Sequence, residues 1–351
     1  MGNLPAPKLV PITVTQHGPT TIIVYKEVGA VFSMNSSIAS SLRVATSSDG
    51  VQFKLHSESL ILARTMKNEK IDDCSNFRLS VLGDEYILSY EKKTGTTKTG
   101  IKKEVVITRS HNLTKFKIHK NTSRTERPDH SGLAVHLGHT GDRKNKFAFY
   151  YGSPTITVAE SADLETWTIN NALLLSPRSG FFDHGQLSIV AAHSIPEGIA
   201  ILYQTHAYEN GKEQILVGGA LFAHDNPQKI LWRSELPLWE HEYEKSTAVD
   251  TNGEALWRVC GAIFKKDSIL IYLVSRDGDL SVVAIPNRFH TLSTKKQKPP
   301  SHITRHTSNP IIEPIPHHEW QSQATFNPAA LEVDGRIHLL YRAMGGDGVS
   351  R

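Results

Sequence analysis

Apolar positions along this chain recur with the alternating period of strands, and no segment sustains the 3.6-residue stripe of an amphipathic helix. Short apolar or aromatic runs such as Phe147-Ala148-Phe149-Tyr150-Tyr151, Ile199-Ala200-Ile201-Leu202-Tyr203, Ser268-Ile269-Leu270-Ile271-Tyr272-Leu273 and Ile337-His338-Leu339-Leu340-Tyr341 are each bounded by Gly, Asp or Asn. Runs of this kind between turn residues predict many short strands. An all-β chain must manage its sheet edges, and a sandwich, a barrel or a propeller does so.

Internal repetition chooses among these. The pattern Ser-x-Asp/Asn-Gly/Leu-x-x-Phe/Trp occurs at Ser47 to Phe53, Ser110 to Phe116 and Ser161 to Trp167, with a degenerate copy at His224 to Ile230. Each clear copy follows one strand-like run and precedes another. It therefore predicts the hairpin turn between the last two strands of a four-stranded unit, where an Asp or Asn side chain caps backbone N–H groups. Units of roughly 50 to 65 residues with four strands each are expected of propeller blades. The blades are placed at 10–64, 65–122, 130–177, 180–240 and 255–290. The predicted fold class is all-β: a five-bladed β-propeller over 1–290, with an irregular β-sandwich as the alternative. The polar, basic, proline-ended stretch Thr294-Lys295-Lys296-Gln297-Lys298-Pro299-Pro300 reads as a linker, 291–301. A fresh strand-rich segment, 302–351, reads as the first strands of a second propeller. It stops in mid-motif at Gly348-Val349-Ser350-Arg351, so a truncated second copy is expected.

Composition narrows the function classes only slightly. A net charge of +4 spread over 351 residues is weak footing for nucleic-acid binding, and the basic runs Arg143-Lys144-Asn145-Lys146 and Lys295-Lys296-Gln297-Lys298 sit beside turn signals, as solvated loops do. No nucleic-acid partner is expected. Two distant cysteines, Cys74 and Cys260, exclude a disulfide framework and fit a reducing compartment. No apolar run reaches the roughly 20 residues of a membrane span, and Met1-Gly2-Asn3-Leu4-Pro5 lacks a leader's charged start; a cytoplasmic protein without a membrane partner is expected. The 18 histidines invite a metal, but His136 with His139, and the adjacent His317-His318, lack a third partner in sequence, so no metal is expected.

Carboxylates carry the stronger chemical signal. Ile71-Asp72-Asp73-Cys74-Ser75-Asn76-Phe77-Arg78 leads into a blade's innermost strand, which would aim two acids and an arginine at a central channel. Partial desolvation there would raise one carboxyl pKa into the range of a general acid, while the arginine keeps its neighbour charged. A turn-stabilising Asp pair beside a surface arginine is the plainer alternative.

The chain also resembles glycoside hydrolase family 130, the β-mannoside phosphorylases and β-mannosidases. The residues that carry this lie mainly in the C-terminal segment: Asn309-Pro310-Ile311-Ile312, Trp320, Phe326-Asn327-Pro328-Ala329-Ala330, Asp334-Gly335, Leu339-Leu340-Tyr341-Arg342-Ala343 and Asp347-Gly348-Val349-Ser350-Arg351. Residues 1–290 resemble the same family more faintly, through Ser47-Ser48-Asp49-Gly50, Val217-Gly218-Gly219-Ala220-Leu221, Asp225-Asn226-Pro227, Arg233-Ser234, Pro237, Tyr243-Glu244 and Tyr272 to Asp277. The resemblance implies a five-bladed propeller that cleaves β-mannosides with inversion, by water or by phosphate. It places Asp73, or alternatively Asp72, at the family's general acid, with Arg78 after it, although Cys74-Ser75-Asn76 is inserted and the usual proline is missing. It makes Arg78, Tyr203 and His206 substrate-binding positions, Asp277 a sugar-contacting one, and Asn327 and Arg342 sugar-site residues of the second copy, whose own acid would lie beyond residue 351. Candidates for a base are Asp183, Glu244 and Asp277.

Departures from the family pattern bear on phosphate. Pro128-Asp129-His130-Ser131-Gly132 replaces a lysine-bearing stretch, no arginine follows Tyr150-Tyr151-Gly152, the histidine of Tyr203-Gln204-Thr205-His206 is displaced, and Lys26 stands where arginine is usual. No cofactor is expected, with inorganic phosphate as the one conceivable co-substrate. The partner is an oligosaccharide or mannoside, and a homo-oligomer is compatible with the sequence. Two rivals remain at this point: a non-catalytic glycan-binding or scaffolding first propeller with catalysis in the second copy, and an arabinanase- or fructosidase-like hydrolase.

Overall fold

The alternation is realised as antiparallel meanders in the computed structural model. It describes residues 8–28, 31–33, 36–37, 40–64, 67–68, 70–97, 100–118, 128–138, 146–169, 172–209, 212–244, 257–275, 277–289, 312–333 and 336–351. The linker 291–301, Asn309 to Ile311, His139, and most of the two basic runs lie outside the described residues. The chain divides into two compact units, Met1–Lys295 and Lys296–Arg351.

In the larger unit, besides a short hairpin of Val31–Ser33 with Ser36–Ser37, five sheets follow one another along the described residues. The first comprises Lys8–His17, Thr20–Val28, Ser41–Ser47 and Lys54–Arg64, and the second Cys74–Leu82, Glu85–Thr97, Gly100–Ser110 and Lys115–Ile118. The third comprises Gly132–His136, Phe147–Tyr151, Thr157–Ser161 and Thr168–Ile169. The fourth comprises Ser188–Ile195, Gly198–Glu209, Lys212–Phe222 and Ile230–Arg233, and Trp239–Glu244 also pairs with its third strand. The fifth has three strands, Arg258–Phe264, Ser268–Val274 and Leu280–Pro286.

Two features differ from five separate four-stranded units. The fifth sheet lacks a fourth strand among the described residues. The first two sheets are fused, because Lys115–Ile118 pairs in parallel with the free edge of Lys54–Arg64, closing two exposed edges at once.

The repeated turn pattern sits where the sequence places it, between third and fourth strands. Asp49 Oδ1 accepts from the backbone N–H of Val51 (2.7 Å) and Gln52 (2.8 Å), and Ser47 Oγ accepts from Gly50 N at 2.8 Å. Asp163 and Ser161 repeat this on Glu165, Thr166 and Leu164, and Asn112 does so on Thr114 and Lys115. The aromatic that ends each copy packs inward, with Phe116 and Trp167 buried.

The first strands of the five sheets form a closed ring. Lys8–His17 packs on Cys74–Leu82 and on Arg258–Phe264; Gly132–His136 packs on Cys74–Leu82 and on Ser188–Ile195; Ser188–Ile195 packs on Arg258–Phe264. Side-chain hydrogen bonds stitch neighbours together: Leu79 N donates to Thr13 Oγ1 (3.1 Å), Ala134 N to Ser80 Oγ (2.9 Å) and Val259 N to Gln204 Oε1 (2.8 Å). The apolar core is accordingly split into layers between successive sheets, and the ring closes through Val14 and Ile23 of the first sheet against Cys260, Ile263, Tyr272 and Val274 of the fifth.

The smaller unit contains a two-stranded hairpin, Ala324–Val333 with Arg336–Met344, and a 3-10 turn at Glu319–Gln321. No described helix is long and apolar enough to cross a membrane. Cys74 and Cys260 are both buried, and neither forms a disulfide.

Candidate functional site

Each inner strand begins at one end of the ring, and the second strand of each sheet ends there. At that mouth the chain enters Cys74–Leu82 through the 3-10 turn Ile71–Asp73. Ile71 is buried and anchors the turn, which leaves Asp72 and Asp73 exposed. Asp72 is tied to the first sheet: Lys26 Nζ lies 3.6 Å from Oδ1, and Ser40 N donates to Oδ2 at 3.2 Å. Burial alone would raise the Asp72 pKa, but the Ser40 hydrogen bonds and the Lys26 ammonium outweigh it and hold the carboxyl below its usual value. Lys26 thus has a carboxylate partner in this chain. Among the described residues the Asp73 carboxylate has none.

The inner strand carries a β-bulge between Ser75 and Arg78. Ser75 pairs with Glu91 but Arg78 with Ser89, so the inner strand carries one extra residue. Asn76 adopts φ = 52°, a left-handed conformation that asparagine tolerates better than most residues. Phe77 then stacks in the core on Tyr90, with centroids 5.4 Å apart. Arg78 is half-buried and donates to Phe77 O at 3.1 Å. Desolvation, and secondly the Arg258 charge, pull its pKa down to about 10, which leaves it protonated at neutral pH.

Sequence reasoning missed how the fourth sheet disposes of its charges. Asp183 is fully buried, and its carboxylate accepts from Arg178 Nε (2.9 Å), Tyr203 OH (2.7 Å) and Arg233 Nη2 (2.6 Å). Arg178 also donates to Ser234 O and Arg233 to Ser176 O. Burial pushes the Asp183 pKa up, but the bonds from Arg178, Tyr203 and Arg233 prevail and the net shift is downward. An ionised carboxylate with both oxygens engaged is poorly placed to take a proton from water. Tyr203 is likewise consumed inside the sheet rather than offered to a ligand. Arg178 and Arg233 are 5 and 50 residues from Asp183, and only the proximity of Arg178 to Asp183 was visible in the sequence.

The other predicted positions are scattered. His206 Nδ1 lies 3.3 Å from Glu213 Oε1, and burial lowers its pKa against the opposing pull of that carboxylate. Asp277 is exposed in the turn after Ser268–Val274, where the adjacent Gly278 approaches Lys8 and Leu9 of the first inner strand. The Glu244 and Asn327 side chains lie outside the described residues. Arg342, in the smaller unit, donates from Nε to Ser350 Oγ (3.0 Å) and stacks over Phe326. Asp72, Arg78 and Asp277 therefore belong to one mouth, together with Lys26 and Arg258.

A cavity of about 250 Å³ lies on the axis at the opposite end, among the last residues of the five inner strands, with His17, His136, His193 and Ser194 in its wall. His193 is stacked on Phe264, and burial lowers its pKa, so it is neutral at pH 7. None of the predicted site residues lines this cavity. Among the described residues no group of three or more His, Cys, Asp or Glu could hold a metal ion.

No family model matches the chain. Solved structures match it over most of its length. One, from work describing a GH130 family of mannoside phosphorylases that contains glycoside hydrolases targeting beta-1,2 mannosidic linkages in Candida mannan, has a TM-score of 0.56 at 20% identity, covering 80% of this chain and 84% of the other. The fold is that of GH130. A glycosyl hydrolase from Bacteroides ovatus superposes equally well, with a TM-score of 0.56 at 19% identity and coverage of 79% and 84%. In sequence, a beta-1,2-mannobiose phosphorylase of Thermoanaerobacter sp. (strain X514) is 44% identical over 41 residues, which is 12% of this chain and only 14% of that relative. The resemblance to the GH130 family expected from the sequence is thus found in both comparisons.

Proposed function

We propose that this chain is a carbohydrate-active protein directed at β-mannosides, with residues 1–290 as a five-bladed β-propeller, 291–301 as a linker and 302–351 as the opening of a second, related propeller. The observation that carries it is the GH130 fold across the ring of five sheets, joined to the short stretch of high identity to a mannobiose phosphorylase. Five inner strands in a closed ring and a core layer between successive sheets support the blade count.

Cleavage would be inverting. One carboxylic acid protonates the leaving oxygen, directly or through a sugar hydroxyl, while water or phosphate attacks the opposite face; carboxyl groups about 6.5–9.5 Å apart leave room for water. Asp73 is assigned as the acid, because Asp72 is held ionised by Lys26 and Ser40. Asp277 becomes the better base, because the Asp183 oxygens are engaged. The test is release of mannose or mannose 1-phosphate from β-1,2-mannobiose by the full chain. Asp73→Asn should lower turnover by about 10²-fold or more with the fold intact, and Asp72→Asn by less. Unchanged turnover in both variants rejects the acid assignment.

One observation favours a second reading, in which the first propeller binds glycan or acts as a scaffold without catalysing. Among the described residues of the larger unit, the carboxylates whose pKa is displaced, Asp49, Asp72, Asp163, Asp183 and Glu242, are all displaced downward, away from what a general acid needs at neutral pH. Saturable mannobiose binding without release of either product would establish it.

A further inference from the structure

The axial cavity of about 250 Å³ lies at the end of the ring away from Asp72, Asp73 and Arg78, a place that mannoside cleavage at the mouth does not use. Its wall is mainly apolar, with Leu79, Val81, Val135, Val190 and Phe264 in it, and among the described residues no Asp, Glu, Lys or Arg lines it. A dry apolar cavity of about 150 Å³ holds benzene, so this one has room for a six-membered ring with a small substituent. The rim is open. Gly18 and Gly83, in the turns that follow the first and second inner strands, belong to the wall, and a Cβ on either would meet nothing within 4 Å.

Several polar groups of the wall are already engaged. Gln16 Nε2 donates to Gly18 O (2.8 Å), Ser80 Oγ accepts from Ala134 N (2.9 Å), His136 Nδ1 accepts from Gly138 N (3.1 Å), and Ser194 Oγ is bonded to His224 Nε2 (3.0 Å). Two imidazoles differ. His17 is bonded through Nδ1 to the Tyr86 hydroxyl at 2.7 Å, and its Nε2 has no partner among the described residues. His193 lies parallel to Phe264, with centroids 5.6 Å apart, and neither of its ring nitrogens is hydrogen-bonded among those residues. The two rings come from the first and fourth inner strands, which are not neighbours in the ring, so they reach the cavity from different sides. Tyr86 meets His17 edge-on at 5.3 Å, so each imidazole is positioned by an aromatic neighbour before a ligand arrives. Burial, and secondly the Asp84 charge, raise the Tyr86 pKa; the phenol keeps its proton and can donate it to His17 Nδ1, which leaves the imidazole hydrogen on Nε2. An N–H donor bonds an ionised acceptor roughly twice as strongly as a neutral one, and no carboxylate in the wall opposes an anion.

We propose that this cavity binds a small cyclic carboxylate, whose ring lies among the apolar side chains and whose carboxylate accepts from His17 Nε2 and from a ring nitrogen of His193. The site does not rest on mannoside cleavage, since it shares no residue with the mouth.

The test titrates benzoate, cyclohexanecarboxylate and the neutral benzyl alcohol calorimetrically into the full chain at constant ionic strength and neutral pH, with thermal unfolding in parallel. At least one carboxylate should bind saturably, about tenfold or more tighter than the alcohol, and raise the melting temperature. His17→Phe and His193→Phe each keep an aromatic ring beside Tyr86 or Phe264 but remove the nitrogens. Each should weaken carboxylate binding by about tenfold and leave the alcohol unchanged. Ala192→Leu, which narrows the cavity and spares both imidazoles, should weaken every probe that binds the parent. Glu240→Gln, on the outer strand Trp239–Glu244, should change nothing. Absence of saturable binding by either carboxylate up to about 10 mM, equal affinity for the alcohol, or carboxylate binding kept in both phenylalanine variants overturns the proposal. Because the readout is binding, loss of mannobiose turnover and loss of this site are separate outcomes.

Discussion

Asp183 accepts three charged or polar donors inside a sheet interface, and this makes it a structural anchor. Replacing it by asparagine removes the charge but leaves Arg178 and Arg233 half-buried beside Tyr203. Breaking one partner out of a buried ion cluster costs about 3–5 kcal/mol, so Asp183→Asn should shift the urea midpoint strongly downward. The downward pKa shift also sets a pH dependence. The folded state binds this proton more weakly than the unfolded chain, so the stabilisation is fully present above the ordinary aspartate value of 3.8 and is lost as the pH falls through the lower folded-state value. Denaturant titrations between about pH 2 and 6 should show a steeper acid loss in the parent than in Asp183→Asn; parallel curves would contradict it. Asp72 differs from Asp183 only in context, being exposed and held by one lysine and one backbone N–H. Nothing local to Asp72 announces its state, because Lys26 comes from another sheet, and of the Asp183 partners only Arg178 is near in sequence.

At the scale of the element, the Ser-x-Asp/Asn turn is the part of the structure most legible in the sequence. Its chemistry is contained within a single short turn, and the side-chain caps at Asp49, Asn112 and Asp163 follow from spacing alone. What spacing does not show is the use each turn serves. Gly50 has φ = 82°, and a Cβ there would lie 2.8 Å from the Tyr272 hydroxyl of the fifth sheet. Gly50→Ala should therefore cost about 1–2 kcal/mol from its backbone conformation, with a further penalty from displacing Tyr272, read as a lower melting temperature. The same local blindness hid the bulge at Ser75–Arg78. The insertion was visible in the sequence, but whether it formed a loop or stayed within the strand depended on pairing with Ser89 and Glu91.

Over the whole molecule the deciding event is closure of the ring. The first and fifth sheets are the most distant in sequence, and they meet through Val14 and Ile23 against Ile263, Tyr272 and Val274. Gly261 belongs to this seam, since a Cβ there would approach Val14 O to 2.7 Å. Gly261→Ala should cost about 1–3 kcal/mol through overpacking, measured by denaturant unfolding. Tyr272→Phe loses the hydroxyl bond to Gly50 O, 2.8 Å long, and the one with the Thr21 side chain, and should cost about 0.5–1.5 kcal/mol for each. A larger loss from Tyr272→Phe than from Gly261→Ala would mean that the seam is held by polar contacts rather than close packing.

The alternation of apolar residues and the recurrence of one turn motif were enough to specify strands and the hairpin turns at Asp49, Asn112 and Asp163, because those properties depend on neighbours within a few residues. The roles of the charged groups were decided only by the tertiary structure. A carboxylate or guanidinium takes its state from whichever opposite or like charge ends up within a few ångströms. In this ring those neighbours, Lys26 for Asp72, Arg233 for Asp183 and Arg258 for Arg78, are brought together by the fold from positions 46, 50 and 180 residues apart in the chain.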